Sequence, residues 1–238
     1  MPDAALEERL AALPWDEHLA GLDAKGYALI QGLLTPQACD QLAGGYEHDA
    51  TFRACIHMAR YGFGSGTYKY FTYPLPDLIA TLRAQVYPRL APLANAWNAR
   101  LGIPEHYPLL LDTFIAECAT AGQHKPTPLL LRYTAGDYNC LHRDLYGDVA
   151  FPMQMVVLLS QPGSDFAGGE FVITEQRPRM QSRATVLPLA AGDALIFSVN
   201  RRPVKGTKGY YSVYTRHGVS DVRDGNRFSL GIIFHDAQ

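Results

Sequence analysis

The sequence predicts an α+β fold, with supporting helices in the N-terminal part and an antiparallel jelly roll in the C-terminal part. Three observations carry this. Before residue 129 the longest apolar patterns recur at helical spacing. From residue 129 onward they give way to short apolar segments separated by glycine- and proline-containing turns, the pattern of a sandwich or barrel. The third is the triplet His142-Arg143-Asp144. Extended, it offers an imidazole and a carboxylate on one face, and only strands that fold back can bring a third ligand to them. With 238 residues, 47% of them hydrophobic, one domain over 1–238 is expected, residues 1–128 supporting a core of 129–238.

Residues 3–22 read as an amphipathic helix: Leu6, Leu10 and Leu13 are separated by Glu7, Glu8 and Arg9. Gly26 closes it, and 27–34 (YALIQGLL) reads as a strand. Thr35-Pro36 supplies an N-cap and a first-turn proline for a helix to about residue 46. In 52–76 (FRACIHMARYGFGSGTYKYFTYPLP), Tyr68 and Tyr70 alternate with Lys69 and Phe71 among Gly62, Gly64 and Gly66. This predicts a β-hairpin lid, mobile or tightly turning, whose aromatics stack on a flat group. The competing reading is a hairpin that covers the core.

Residues 77–101 carry the strongest helical pattern, with Pro88 and Pro92 expected to kink or divide it and Asn95, Asn98 and Arg100 expected at the surface. Residues 112–118 suit helix or strand, and 121–128 a loop. Strands are then predicted at 129–133, 153–160, 169–173, 185–189, 194–199, 210–214 and 227–234.

No apolar run reaches membrane-spanning length, and the acidic N-terminal stretch lacks a secretory layout. Four scattered cysteines (39, 55, 118 and 140) read as free thiols, so a cytoplasmic location without a membrane partner is expected. Net charge is −2, yet 176–227 holds ten Lys or Arg against three acids, an excess able to steer an anionic ligand.

His142 and Asp144 form two thirds of a metal site, and His217 and His235 compete for the third position. Two histidines and a carboxylate with open positions is the facial arrangement of non-haem Fe(II) oxygenases. On one continuous strand Cys140 shares the parity of His142, where a buried structural thiol is expected, while Arg143 faces away.

His142-x-Asp144, a distal His217, Arg227 ten positions later within Arg-Phe-Ser, Gly168-Gly169-Glu170 and Gly192-Asp193 occur in this order. Together they resemble the 2-oxoglutarate/Fe(II)-dependent dioxygenase superfamily over about residues 129–236. The resemblance implies a double-stranded β-helix, Fe(II) held by His142, Asp144 and His217, and consumption of O2. It implies a 2-oxoglutarate site in which Arg227 pairs with the distal carboxylate, with Ser229 and Tyr133 beside it.

Within that superfamily, LRYTAGDYNCLHRD and YGFGSGTYKYFTYPLP are similar to segments of AlkB-type nucleic-acid demethylases and of a bacterial family of nucleic-acid-modifying oxygenases. This implies a role in DNA repair. Alkylated bases in single-stranded or damaged nucleic acid would be oxidised, with release of succinate and CO2. Tyr68 and Tyr70 of the lid and Arg201 and Arg202 of the extended basic loop 200–209 are the candidate substrate contacts. The chain departs from the AlkB pattern at Ile233, where those enzymes carry a second arginine. Two alternatives stand beside this reading. One is a prolyl-hydroxylase-like oxygenase acting on a peptide or free amino acid. The other is a non-enzymatic jelly-roll binding module, against which the intact four-residue set argues.

Overall fold

Two short helices, α1 (Ala4–Ala12) and α2 (Trp15–Lys25), replace the single helix predicted over 3–22. Pro14 is the reason: it lacks an N–H, restricts the residue before it to extended backbone, and serves as the N-cap of α2. The computed structural model describes residues 4–145 and 147–238, so Asp3, where the predicted helix began, lies outside the described residues. Gly26 ends α2 in the left-handed region at φ 82°, its N–H donating to Leu22 O. Strand β1 (Tyr27–Ile30) is shorter than predicted because the chain turns at Gly32, whose N–H donates to Asp193 Oδ1 at 2.8 Å. In α3 (Pro36–Gly44) Thr35 is the N-cap, its Oγ1 accepting from Ala38 N–H.

Strands β2 (Phe52–His57), β3 (Gly64–Ser65) and β4 (Thr67–Phe71) form the predicted aromatic hairpin. Helix α4 (Asp77–Leu101) runs through Pro88 and Pro92 without division. The carbonyls that lose their donors belong to Ala84 and Pro88, on the side of the helix that is not buried, where water can pair them. Asn98, expected at the surface, is buried and donates to Glu105 O. Arg100 is half-buried against Asp23 at 2.6 Å. Helix α5 (Leu111–Thr120) resolves the ambiguous 112–118. None of the described helices is long and apolar enough to cross a membrane.

The remaining strands are β5 (Leu129–Thr134), β6 (Tyr138–His142), β7 (Met153–Leu158), β8 (Phe166–Gly168), β9 (Phe171–Gln176), β10 (Arg183–Leu187), β11 (Ala194–Ser198), β12 (Arg201–Gly206), β13 (Gly209–Val219) and β14 (Val222–Ile232). They form two antiparallel sheets. The larger runs β1-β11-β7-β14-β5-β4-β2, with β8 on β14; the smaller runs β10-β9-β13-β6-β3, with β12 on β13. This is the double-stranded β-helix with helices on one side. Two predictions change. Residues 129–144 are two strands, not one: Gly136 at φ 89° and Asp137, which accepts from Thr134 N–H and Oγ1, turn the chain from the larger sheet to the smaller. Residues 200–209 are not a loop, because β12 pairs with β13 from Arg201–Tyr214 to Gly206–Gly209.

The larger sheet separates two apolar clusters. On its outer face Leu130, Met155, Val157, Ile196, Leu230 and Ile232 pack against α1, α2, α4 and α5. On its inner face Leu129, Val156, Leu158, Leu195 and Phe197 meet Phe171, Ile173 and Val219 of the smaller sheet. Burial on both faces explains why β7 is apolar at every position except Gln154.

Behind the sheets, Arg83 of α4 anchors the C-terminal segment. Its guanidinium donates to Ile233 O, Phe234 O, Tyr73 Oη and Asp236 Oδ1, the last at 2.7 Å, with both charged side chains buried. Arg83→Met leaves Asp236 charged and unpaired in the interior, and should cost roughly 3–5 kcal/mol in urea titration. Nearby, His235 is fully buried and its Nδ1 accepts from Phe151 N–H at 3.1 Å. Burial, with the Arg83 charge, pushes its pKa down to about 4. The folded state therefore keeps His235 neutral where the unfolded chain takes up a proton. Its contribution is complete above about pH 6.5 and is lost as pH falls toward 4, about 3 kcal/mol in all. In His235→Asn, the fall of melting temperature between pH 7 and pH 5 should be visibly shallower.

Candidate active site

Strand pairing brings together residues distant in sequence. His217 on β13 lies directly opposite His142 on β6 and, on its other side, opposite Ile173 on β9. Directly paired residues share a face, so both imidazoles point between the sheets with ring centroids 4.3 Å apart. Asp144 follows the end of β6 and reaches back. Its Oδ1 lies 3.2 Å from His142 Nε2 and its Oδ2 3.4 Å from His217 Nε2. The three ligand atoms fall within 4.8 Å of one another. His142 Nδ1 donates to Cys140 O at 2.7 Å, which turns Nε2 inward. His235, the competitor for the third position, lies outside this cluster.

The cluster is electrostatically coupled. Burial raises the Asp144 pKa, but hydrogen bonds from His142 and His217 hold the carboxyl well below its usual range. Burial pulls His142 down, but the Asp144 carboxylate and the Cys140 carbonyl leave it above its ordinary value. His217 is lowered, first by burial and then by the charge of His142. A carboxylate compressed between two imidazole nitrogens is the donor set of a facial metal site. His217 Nδ1 has no hydrogen-bond partner among the described residues.

Between His142 and Asn139 the β6–β13 register slips by one residue. This bulge reverses the parity expected of a continuous strand. Asn139 therefore faces the cavity, and Cys140, expected to be buried, is exposed. Gly218 lies opposite, where a Cβ would sit 2.5 Å from Asn139 O. Arg143 faces away, as its parity required: it donates to Asn200 Oδ1 and lies over the Tyr214 ring.

The cluster opens into a cavity that encloses about 680 Å³ of empty space, the open solvent at its mouth included. Arg227 of β14 lines it and is only 1% exposed. Its Nε donates to Gly169 O at 2.9 Å and its Nη1 to Ser229 Oγ at 3.2 Å. It forms no ion pair among the described residues. Glu170, whose charge it feels, is engaged by Ser220 and Arg223. Burial pulls the guanidinium down to about 10. A buried cation without an anion costs several kcal/mol, so this end of the cavity is built for an anion. Gly169 makes it possible: a Cβ there would lie 2.8 Å from Arg227 Cδ. Tyr133 pairs with Arg227 across β5 and β14, fully buried, its hydroxyl accepting from Asn139 Nδ2 at 3.2 Å.

The hairpin closes the side of the cavity that carries His142, Asp144 and His217. Strand β4 extends the larger sheet through β5, and β3 pairs with β6 in the smaller. Met58, Phe63 and Tyr68 line the cavity, with Phe63 5.9 Å from the His142 ring. The glycines serve close approach: at Gly64 a Cβ would meet Tyr138 O at 2.4 Å, and at Gly66 the Tyr133 ring at 2.9 Å.

Of the candidate substrate residues, Tyr68 lines the cavity and Tyr70 does not. Tyr70 packs edge-on against Tyr68 at 5.3 Å, beneath Arg53. Arg201 is exposed in a separate cleft with Trp97 and Asn98. Arg202, expected to contact substrate, is instead buried, paired with Glu175 at 2.5 Å, and packed on Gly26. Sequence reasoning missed Phe63, Asn139 and Gln154. The first stood in the aromatic segment; the other two depended on the bulge and on strand register.

A family model named Oxygenase-NA, described as an oxygenase catalysing oxidative methylation of damaged DNA, matches residues 66–237. The uncharacterised protein Rv2227 of Mycobacterium tuberculosis (strain ATCC 25618 / H37Rv) is 45% identical over 167 residues, 70% of this chain and 72% of the relative. An oxidoreductase of the 2OG-Fe(II) oxygenase family from Burkholderia pseudomallei superposes with a TM-score of 0.55 at 14% identity, covering 95% of this chain and 94% of that one. A Trichoplax adhaerens prolyl hydroxylase, solved with a hypoxia inducible factor peptide, superposes at 0.54 with 12% identity, covering 98% and 93%. At these identities the two structures speak to the fold alone.

Proposed function

The chain belongs to the Oxygenase-NA family and with it to the 2-oxoglutarate/Fe(II) oxygenases, and from that premise we propose that it oxidises alkylated bases in single-stranded or damaged nucleic acid. It is an enzyme, and its cofactors are Fe(II) and 2-oxoglutarate. The proposal assigns the metal to His142, Asp144 and His217, whose ligand atoms lie within 4.8 Å of one another. It assigns the distal carboxylate of 2-oxoglutarate to Arg227, with Ser229 and Tyr133 shaping that end. The buried guanidinium without an acidic partner fits this group.

Held there, the metal and cosubstrate would supply the oxidising power, with O2 consumed and succinate and CO2 released. The chain's residues orient and exclude. Gly169 O and Ser229 Oγ fix the guanidinium so that it needs no rearrangement to accept a carboxylate. Met58, Phe63 and Tyr68 keep the metal side of the cavity apolar. Oxidation of an N-methyl carbon gives an N-hydroxymethyl group, which breaks down to formaldehyde and the free base. The direction is therefore removal of a methyl group.

One observation carries the substrate class: an apolar and aromatic wall, with Phe63 5.9 Å from His142. A flat unpaired base stacks on such a wall. Basic residues after 176 agree with a phosphate backbone outside it, although Arg202 and Arg227 are buried and not available to it.

Three outcomes are expected. Wild-type enzyme should release succinate faster with methylated single-stranded oligonucleotides than without substrate, and His142→Ala should not. Oligonucleotide binding should weaken about 20-fold between 50 and 200 mM salt if about three phosphates are engaged. Stimulation by a prolyl peptide or free amino acid and not by nucleic acid would refute the substrate class. Gly169→Ala forces a methyl against Arg227 and should raise KM for 2-oxoglutarate about tenfold or more while metal binding, followed by calorimetry, is kept.

A further inference from the structure

Gln154 of β7 is left over once the two ends of the cavity are described. Its side chain lines the cavity, is 4% exposed, and its Nε2 has no hydrogen-bond partner among the described residues. Arg227, Ser229, Tyr133 and Asn139 are linked at the anion end by the contacts given above, and the metal cluster accounts for the histidines and Asp144. Tyr68 is paired with Tyr70. Gln154 belongs to none of these sets. A buried amide without a partner is destabilising, so its presence points to a group that arrives later.

Register fixes which end it serves. Gln154 lies directly opposite Phe197 on β11, and the Phe197 ring is 4.7 Å from that of His217. On its other side the β7–β14 ladder reaches Met155–Ile232, which brings Ile233 beside Gln154. Ser229 pairs with Leu158, four residues further along β7, roughly 13 Å at about 3.3 Å per residue. Gln154 therefore sits on the metal side, away from the anion end, where its two sheet neighbours are apolar and offer no hydrogen bond.

We propose that the Gln154 carboxamide is the specificity-determining contact for the group being oxidised, hydrogen-bonding a carbonyl oxygen or ring nitrogen on the edge of an alkylated base. This rests on the nucleobase reading above. A carboxamide carries both a donor and an acceptor, so it can match a base edge that presents either, while the apolar walls take up the base faces.

The test compares wild type with Gln154→Leu, which keeps the volume and removes the unpaired amide, and Gln154→Glu, which keeps the shape and removes the donor. Each is assayed for succinate release with an oligonucleotide carrying 3-methylthymine, whose N-methyl group lies between two carbonyls. Both variants should lose about 10–100-fold in kcat/KM, mostly through KM. Gln154→Leu should melt at or above the wild-type temperature and retain the anaerobic absorption band given by Fe(II) with 2-oxoglutarate. Unchanged kcat/KM in Gln154→Leu, loss of that band, or a markedly lower melting temperature would each overturn the assignment, the last two by showing a cosubstrate or structural role. Wild type inactive on every methylated oligonucleotide but active on a prolyl peptide would overturn the nucleobase reading; the effect of Gln154→Leu on peptide turnover then decides the role of Gln154. If no methylated oligonucleotide raises succinate release, the nucleobase reading and the assignment of Gln154 to a base edge are overturned together.

Discussion

The pairing of β13 with β6 is the constraint on which the site depends. It places His217 opposite His142 although 75 positions separate them. Side chains alternate with period two, so a slip of one residue in this ladder would turn one imidazole out of the cavity and abolish the cluster. The pairing is held from both edges, because β9 fixes His217 against Ile173 while β6 carries the bulge. Gly218 is part of the same device. Its missing side chain lets the bulged strand approach to where a Cβ would lie 2.5 Å from a carbonyl oxygen.

The anion end obeys a second constraint, close packing around a buried charge. Arg227 is held within the sheets by one backbone carbonyl and one hydroxyl, and the carbonyl belongs to a glycine that could not carry a side chain there. Gly168 has the same property against Asp221 O, at 2.2 Å. The two glycines hold a loop against the guanidinium instead of freeing one. The same is true of the aromatic hairpin. Gly64 and Gly66 suggested mobility, yet each sits where a Cβ would collide with the neighbouring strand or with Tyr133. Its two ladders tie it to both sheets, so the metal side of the cavity is walled by paired backbone.

Much of this was legible in the sequence because it rests on local chemistry. Thr35-Pro36, Gly26 and the apolar period of α4 specify their elements without help from the rest of the chain. The HxD triplet, the distal His217, Arg227 and the double glycine were readable as an ordered set. What was illegible depended on tertiary contacts. Arg202 belongs by composition to a basic stretch, but Glu175 and the C-cap glycine draw it inside. Cys140 followed from a parity that a single inserted residue reverses. Pro88 and Pro92 break helices in general, but here the orphaned carbonyls face the solvent side of a helix whose other face is held by the core.

These features divide one cavity into two chemical halves. Along β14, the inward positions change from Arg227 and Ser229 to Gly231 and Ile233, so a single strand runs from a charged end to an apolar one. A dicarboxylate gains most where the buried cation lacks an anion, and a flat apolar face gains most where Phe63, Phe197 and Ile233 line the wall. Each ligand is disfavoured at the other's end, since a carboxylate would be desolvated without a partner and a base would leave Arg227 unpaired. The His142, Asp144 and His217 cluster lies with the apolar half, next to Phe63 and Phe197. On the proposed reading, the polarity gradient along β14 would order the two ligands before any chemistry begins.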